Sequence, residues 1–190
     1  MAFFNNKKGK YMSKSKNNRT KWIVTVTFLA FFISFIFSFG SNIVMPKVNL
    51  FIGIFILLLF IAIGIIFDMI GVAVTSTNEE PLHAMSSKKI KGAKKAVLFK
   101  KNADKVSSFC NDVIGDICGI ISGSAGVTIT SSLSDKLNIN PLYIGLIITA
   151  ITASLTIGGK AFFKSIAIKN SNKIVHATAK VLSIFEKKKK

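Results

Sequence analysis

Two carboxylates one helical turn apart, Asp112 and Asp116, stand in the stretch CNDVIGDICGIISG, which is otherwise apolar and rich in small residues. Such a stretch is fit to enter a bilayer, yet each acid costs roughly 2.5 to 3.5 kcal/mol at the centre of the hydrocarbon layer. The pair therefore calls for a protein interior, a counter-charge or a bound cation. Asp68 ends another apolar block, with Thr75 and Ser76 following it. Carboxylates, hydroxyls and backbone carbonyls are the hard oxygen ligands that a hydrated cation takes. Asp68, Asp112, Asp116, Thr75 and Ser76 are accordingly the candidate cation ligands. Two bland alternatives stand beside that reading: Lys160 as the counter-charge of a structural ion pair, and acids that remain protonated.

The elements that must position these groups are apolar blocks rather than amphipathic soluble segments. Trp22–Phe39, Leu50–Phe67 and Pro141–Gly158 carry no charge at all, and half of the 190 residues are hydrophobic. Each block approaches the ~30 Å of hydrocarbon at about 1.5 Å rise per residue. The acid-bearing region from about 108 to 133 is a fourth, less apolar candidate. The first block is too long for a signal-peptide core and is read as retained. The expectation is an all-α integral membrane protein. It has a three-helix polar-striped core (spans about 50–74, 108–133 and 141–159), one extra N-terminal span over 22–39, basic interfacial helices and an amphipathic juxtamembrane helix.

The net charge of +18 raises the question of nucleic acid, and its distribution answers it. All Lys and Arg except Lys47 and Lys136 fall in 1–21, 88–105 and 160–190. With four spans, these three regions share one side of the membrane, the pattern of cytoplasmic loops. The reading is a multi-pass cell-membrane protein with both termini cytoplasmic and no nucleic-acid partner. Cys110 and Cys118 are about 12 Å apart along one helix, too far to bridge. The absence of a phosphate-binding glycine loop, a nucleophile elbow and an HExxH leaves an enzyme reading without support.

Small and polar residues are arranged in stripes. Asp112, Gly115, Asp116, Gly119 and Gly123 fall within a ~100° arc of their helix, and Gly115, Gly119 and Gly123 form a ladder for close helix packing. Gly64, Asp68, Gly71 and Thr75 make a second stripe, and Gly145, Thr149, Thr152 and Thr156 a third. Lipid offers such groups no partners, so the expectation is stripe-to-stripe packing, with the Asp pair near Asp68 and the first span at the edge.

Between the second and third blocks, Glu79, Glu80 and Pro81 mark a helix start, and the lysines of 88–101 alternate with apolar residues. The region over about 78–102 is read as interfacial helices on an anionic inner leaflet. The segment over about 172–186 repeats the theme as a juxtamembrane helix, ahead of a lysine tail at 187–190. Following the leading basic segment (1–21), residues 48–186 therefore form one membrane unit.

The order of these parts resembles the transmembrane domain of the CNNM/CorC (CorB) magnesium-transporter family. The resemblance is carried by AVTSTNEEPLHAMSSKKIKGAKKA (Ala73–Ala96), NAD (Asn102–Asp104), the Asp112/Asp116 pair at the place of an Asn-x-x-x-Asn, and GGKAFFKSIAIKNSNKIVHATAKVLSIF (Gly158–Phe185). The register across 105–111 is two residues short. The resemblance implies a homodimer whose core handles Mg2+. Gly71 stands where the family has a Glu, Gly159-Lys160 where it has Gly-Glu, and Phe163 where it has Pro. Lacking the family's CBS domains, the sequence gives no reason to expect a nucleotide. Two functions follow: divalent-cation, magnesium-like transport or binding in a stand-alone divergent version, or a non-transporting scaffold or regulatory subunit of the same fold.

Overall fold

The computed structural model describes the backbone of residues 2–187 and the side chains of 23–45 and 47–184. The side-chain charges of the leading basic segment and of the lysine tail lie outside the described residues. The chain is all-α: α1 (Ala2–Val44), α2 (Leu50–Ser76), α3 (Glu79–Ser87), α4 (Ala93–Lys101), α5 (Ala103–Ser108), α6 (Gly115–Leu137), α7 (Pro141–Lys169) and α8 (Ser171–Lys187). A 3-10 turn, Met45–Lys47, follows α1, and a π-helical turn, Phe109–Ile114, joins α5 to α6 without a break. Among the described residues, four helical stretches are long and apolar enough to cross a membrane: Ile23–Val44, Leu50–Ser76, Ala103–Leu137 and Pro141–Lys169.

Residue chemistry sets the helix ends. Pro46 opens the turn after α1, where its missing N–H is harmless. Asn140 caps α7 by accepting from Leu142 N at 3.0 Å, with Pro141 at the first helical position. Asn138, at φ 53°, ends α6 in the left-handed region that Asn tolerates better than most residues. Gly92, at φ 87°, turns the chain into α4, and a Cβ there would lie 2.8 Å from the Lys180 Cα. Only glycine therefore lets α4 and α8 cross so closely.

Two cores result. In the first, Leu57, Ile61 and Ile65 of α2 meet Ile121, Ala125 and Ile129 of α6, closed at one end by Met45. Its outer surface is apolar as well. Phe31, Phe35 and Phe39 of α1 form an exposed stacked row, as suits a lipid-facing helix. The second core lies at the other end of the bundle. There Val74 closes against Leu82, Ala96, Val175 and Ala179, so that α3, α4 and α8 form a small helical layer under α2. Fully burying residues such as Leu82 and Val175 contributes about 1.5 to 3 kcal/mol each where the alternative is water. Buried Thr77 ties the layer down by donating its hydroxyl to Asn172 Oδ1.

The lysines of 88–105 and the α8 lysines thus gather at one end of the bundle. Lys47 and Lys136 follow from helix direction to the other end, where Met45 packs on α6.

Candidate functional site

The polar stripes pack differently from the sequence expectation. The face of α2 that carries Gly53, Gly64 and Gly71 lies against α6. A Cβ on Gly53 would stand 3.6 Å from Ile129, one on Gly64 would stand 3.3 Å from Cys118 Cβ, and one on Gly71 would run into Asn111 Oδ1. The buried residues of this stretch are Cys110 and Val113 on the π turn and Cys118, Ile121, Ala125 and Ile129 on α6. Gly119 and Gly123 have nothing within 4 Å, and Gly115 approaches only Cys110 O of its own turn. The expected ladder is therefore not the packing face within the chain. Bulkier residues on the opposite arc give α2 more contact area, and association in lipid rests on that van der Waals contact.

The threonines explain why the stripes need not meet. Thr152 and Thr156 return their hydroxyls to Ile148 O and Thr152 O, both at 2.8 Å, and Thr130 does the same to Gly126 O. A helical Ser or Thr hydroxyl can satisfy itself on the carbonyl one turn back, so it enters lipid without a partner helix. Thr75, a candidate ligand, donates to Val72 O at 2.9 Å and is exposed, as is Ser76. The Thr75 carbonyl accepts from Lys100 Nζ at 2.9 Å, so a cation already sits at the C-terminal, negative end of α2.

The acids divide into two places. Asp68 faces Lys160 of α7 at 3.8 Å, with the two side chains 19% and 38% exposed. Gly159 eases this: a Cβ there would strike the end of the Ile65 side chain, which would have to turn aside for α7 to lie flush on α2. Lys160 is therefore the counter-charge of Asp68, not of the Asp pair. Asp112 and Asp116 are exposed on another side of the π turn and α6, where they line a cleft with Val26, Thr27 and Ala30 of α1. Asp68 is not among the residues lining it. The first span thus packs beside the acid pair instead of standing apart from it. Among the described residues, no three His, Cys, Asp or Glu side chains come together as a metal-holding group.

The residue that sequence reasoning passed over is Asn111. Its Oδ1 is buried without a hydrogen-bond partner, and its Nδ2 reaches Ser107 Oγ at 3.5 Å. It lies on the π-helical turn, where the widened ring turns Asn111 toward α2 and Asp112 away from it. Turns of this kind gather at functional sites. The signal was present in the sequence as Ser107-x-x-x-Asn111, a polar pair one turn apart just where the register of 105–111 falls short.

Four membrane-capable helices, a glycine-mediated α2–α6 contact with an amide at one end of it, and a helical layer at the basic end define a multi-pass all-α membrane domain. The family model described as the Cyclin M transmembrane N-terminal domain (CNNM) matches residues 54–187. The chain belongs to that family, and α1 lies before the matched region. Neither a curated protein nor a solved structure is significantly similar to the chain.

Proposed function

We propose that the protein binds and moves a divalent cation of the magnesium type across the cell membrane, with the basic end of the bundle in the cytoplasm. Membership of the CNNM family supports the class. The observation that carries the site is the buried, unpartnered Asn111 Oδ1 against Gly71. A carbonyl oxygen without a donor is costly in a low-dielectric interior, and a hard cation is a natural partner for it. Ser107 and the carbonyls of the π turn are the remaining oxygens at hand. Asp112, the next residue, and Asp116, about one turn further on, raise the local cation concentration rather than close a cage. The working unit is a homodimer, with the open Gly119/Gly123 face available to the second copy. The protein acts as a transporter, without a nucleotide and without an enzymatic step.

Purified protein melted with and without millimolar Mg2+ tests this. A ligand at about 100 times its Kd adds about 2.7 kcal/mol to stability. The native chain should therefore melt several degrees higher with Mg2+, and Asn111→Ala should remove the shift. Metal-dependent growth of a deletion strain, restored by the native gene and not by Asn111→Ala, extends the test to transport.

The Asp68–Lys160 pair favours a second reading, a non-transporting scaffold or regulatory subunit. An ammonium beside the α2–α6–α7 junction repels an incoming cation and already neutralises the acid nearest to it. Identical melting with and without Mg2+ in the native chain, together with unaltered growth of the deletion strain, selects this alternative.

A further inference from the structure

The cleft between α1 and the α5–α6 rod has a volume of about 1000 Å³. One wall is apolar and comes from α1, through Ile23, Val26 and Ala30. The other wall carries charges of both signs, three lysines (Lys100, Lys101, Lys105) and three aspartates (Asp104, Asp112, Asp116). The lysines and Asp104 stand at the basic end, and Asp116 lies ~18 Å further along the rod at 1.5 Å per residue. A purely aqueous vestibule does not need the apolar wall, and a purely anionic ligand would meet three carboxylates. The wall is also supplied by the span that precedes the matched family domain, so the cleft is an addition to that domain.

We propose that this cleft holds a phospholipid of the adjoining leaflet whose headgroup carries both a phosphate and a primary ammonium. The phosphate lies at Lys101, whose ammonium marks the edge of the hydrocarbon layer. The headgroup amine donates to the Asp104 carboxylate, three residues along from Lys101, and neutralises it without Lys160. An acyl chain runs along Ile23, Val26 and Ala30. The lining offers both signs of charge that the headgroup needs, and the apolar wall has the partner that water does not offer. The lipid fastens α1 to the matched domain. This inference is independent of the cation reading, because Asn111 points to α2 and away from the cleft.

Native mass spectrometry of the full chain, stripped of lipid by detergent washing, tests it with four probes: phosphatidylethanolamine, phosphatidylcholine, phosphatidylglycerol and soluble phosphoethanolamine. The ethanolamine lipid should be retained about tenfold better than the other two lipids, the margin of one lost charged hydrogen bond. Phosphoethanolamine, which has the headgroup and no chains, should be held far less well. Ala30→Trp fills the apolar wall and should abolish retention. Asp104→Asn and Lys101→Ala should each erase the preference for ethanolamine, with helicity by circular dichroism unchanged. Asn111→Ala should leave retention as it is, which separates this site from the cation site. Equal retention of ethanolamine and choline lipids by the native chain overturns the proposal. So does retention untouched by Ala30→Trp, or phosphoethanolamine bound as well as the lipid.

Discussion

On α2, glycines at 53, 64 and 71 meet α6 along its length, whereas on α6 the glycines at 119 and 123 meet nothing within 4 Å. Both helices carry small residues at helical spacing, and by spacing alone the α6 run, Gly115-x3-Gly119-x3-Gly123, is the more regular ladder. The irregular set makes the contact. A glycine permits close approach but supplies almost no area of its own, so attraction must come from whatever stands opposite or beside it. Around the α2 glycines stand Leu57, Ile61 and Ile65, which find Ile121, Ala125 and Ile129 across the seam. Glycine sets how near two helices can come, and the neighbouring bulky residues decide whether they do.

The contrast is broken most forcefully at Gly71. A side chain there collides with the Asn111 amide, which would have to swing out of the α2 contact to make room. Gly71→Leu should cost at least the ~1–3 kcal/mol of an overpacked core. Its expected outcome is loss of the monodisperse folded species by size-exclusion chromatography in detergent. It should also displace Asn111, and any Mg2+-dependent stabilisation should disappear even in the fraction that folds.

Gly64 is a milder version of the same test. Its Cβ would stand 3.3 Å from the Cβ of Cys118, a contact that yields with a few tenths of an ångström of movement. Gly64→Ala should therefore lower stability by about 1 kcal/mol in a steric unfolding assay, near the small end for overpacking. In a Cys118→Gly background, itself destabilised by the added helical glycine, Gly64→Ala should cost almost nothing further, because the obstructing atom is then gone. If the double variant is as unstable as the sum of the singles, α2 and α6 do not meet at this level.

An ion pair on the packed side provides a third comparison. Asp68 and Lys160 are half-sheltered and separated by 3.8 Å, a long contact. Removing either charge alone, by Asp68→Asn or Lys160→Met, leaves the other in a poor environment and should cost about 1–2 kcal/mol. The double variant should return to within about 0.5 kcal/mol of the native chain, since a pair removed together leaves no orphan charge. The same double variant sharpens the functional question. If Lys160 holds cations off, its removal with Asp68 should strengthen the Mg2+ response.

Legibility follows the same division. The four spans, the all-α class and the basic helices at one end were readable because each rests on composition over many residues, and the apolar blocks from Trp22 to Gly158 have no other use. The placement of Asp112 was not readable, because one extra residue in the turn Phe109–Ile114 shifts the phase of everything after it. A helical wheel drawn at uniform pitch carries the Asp pair toward Asp68, and the π turn carries it toward α1. The threonine stripes misled for another reason: Thr152 and Thr156 satisfy themselves on their own helix. The seventh helix also runs on to Lys169, past the expected end near 159, because Lys160 and Lys164 can keep their charged ends toward the interface while the backbone continues.

The smallest effect is expected at the open ladder, and it is the most informative about assembly. Gly119→Leu and Gly123→Leu place side chains into space that the chain itself leaves empty. In a monomer they should change stability by no more than about 0.5 kcal/mol, and leucine's better helix propensity favours a slight gain. If a second copy packs on this face, the same substitutions should weaken the dimer while sparing the monomer, because two backbones can no longer approach there. Gly119→Cys reads the outcome directly: an oxidant should link two copies through it, and a distant exposed cysteine at Val127 should link them less well. Absence of the link, with leucine tolerated at both positions and the oligomeric state unchanged, would make this face a lipid contact. The regular spacing of the glycines would then reflect the close passage of lipid chains, and the dimer contact would have to be sought on α7, whose Leu146, Ile147 and Leu155 are exposed along one side.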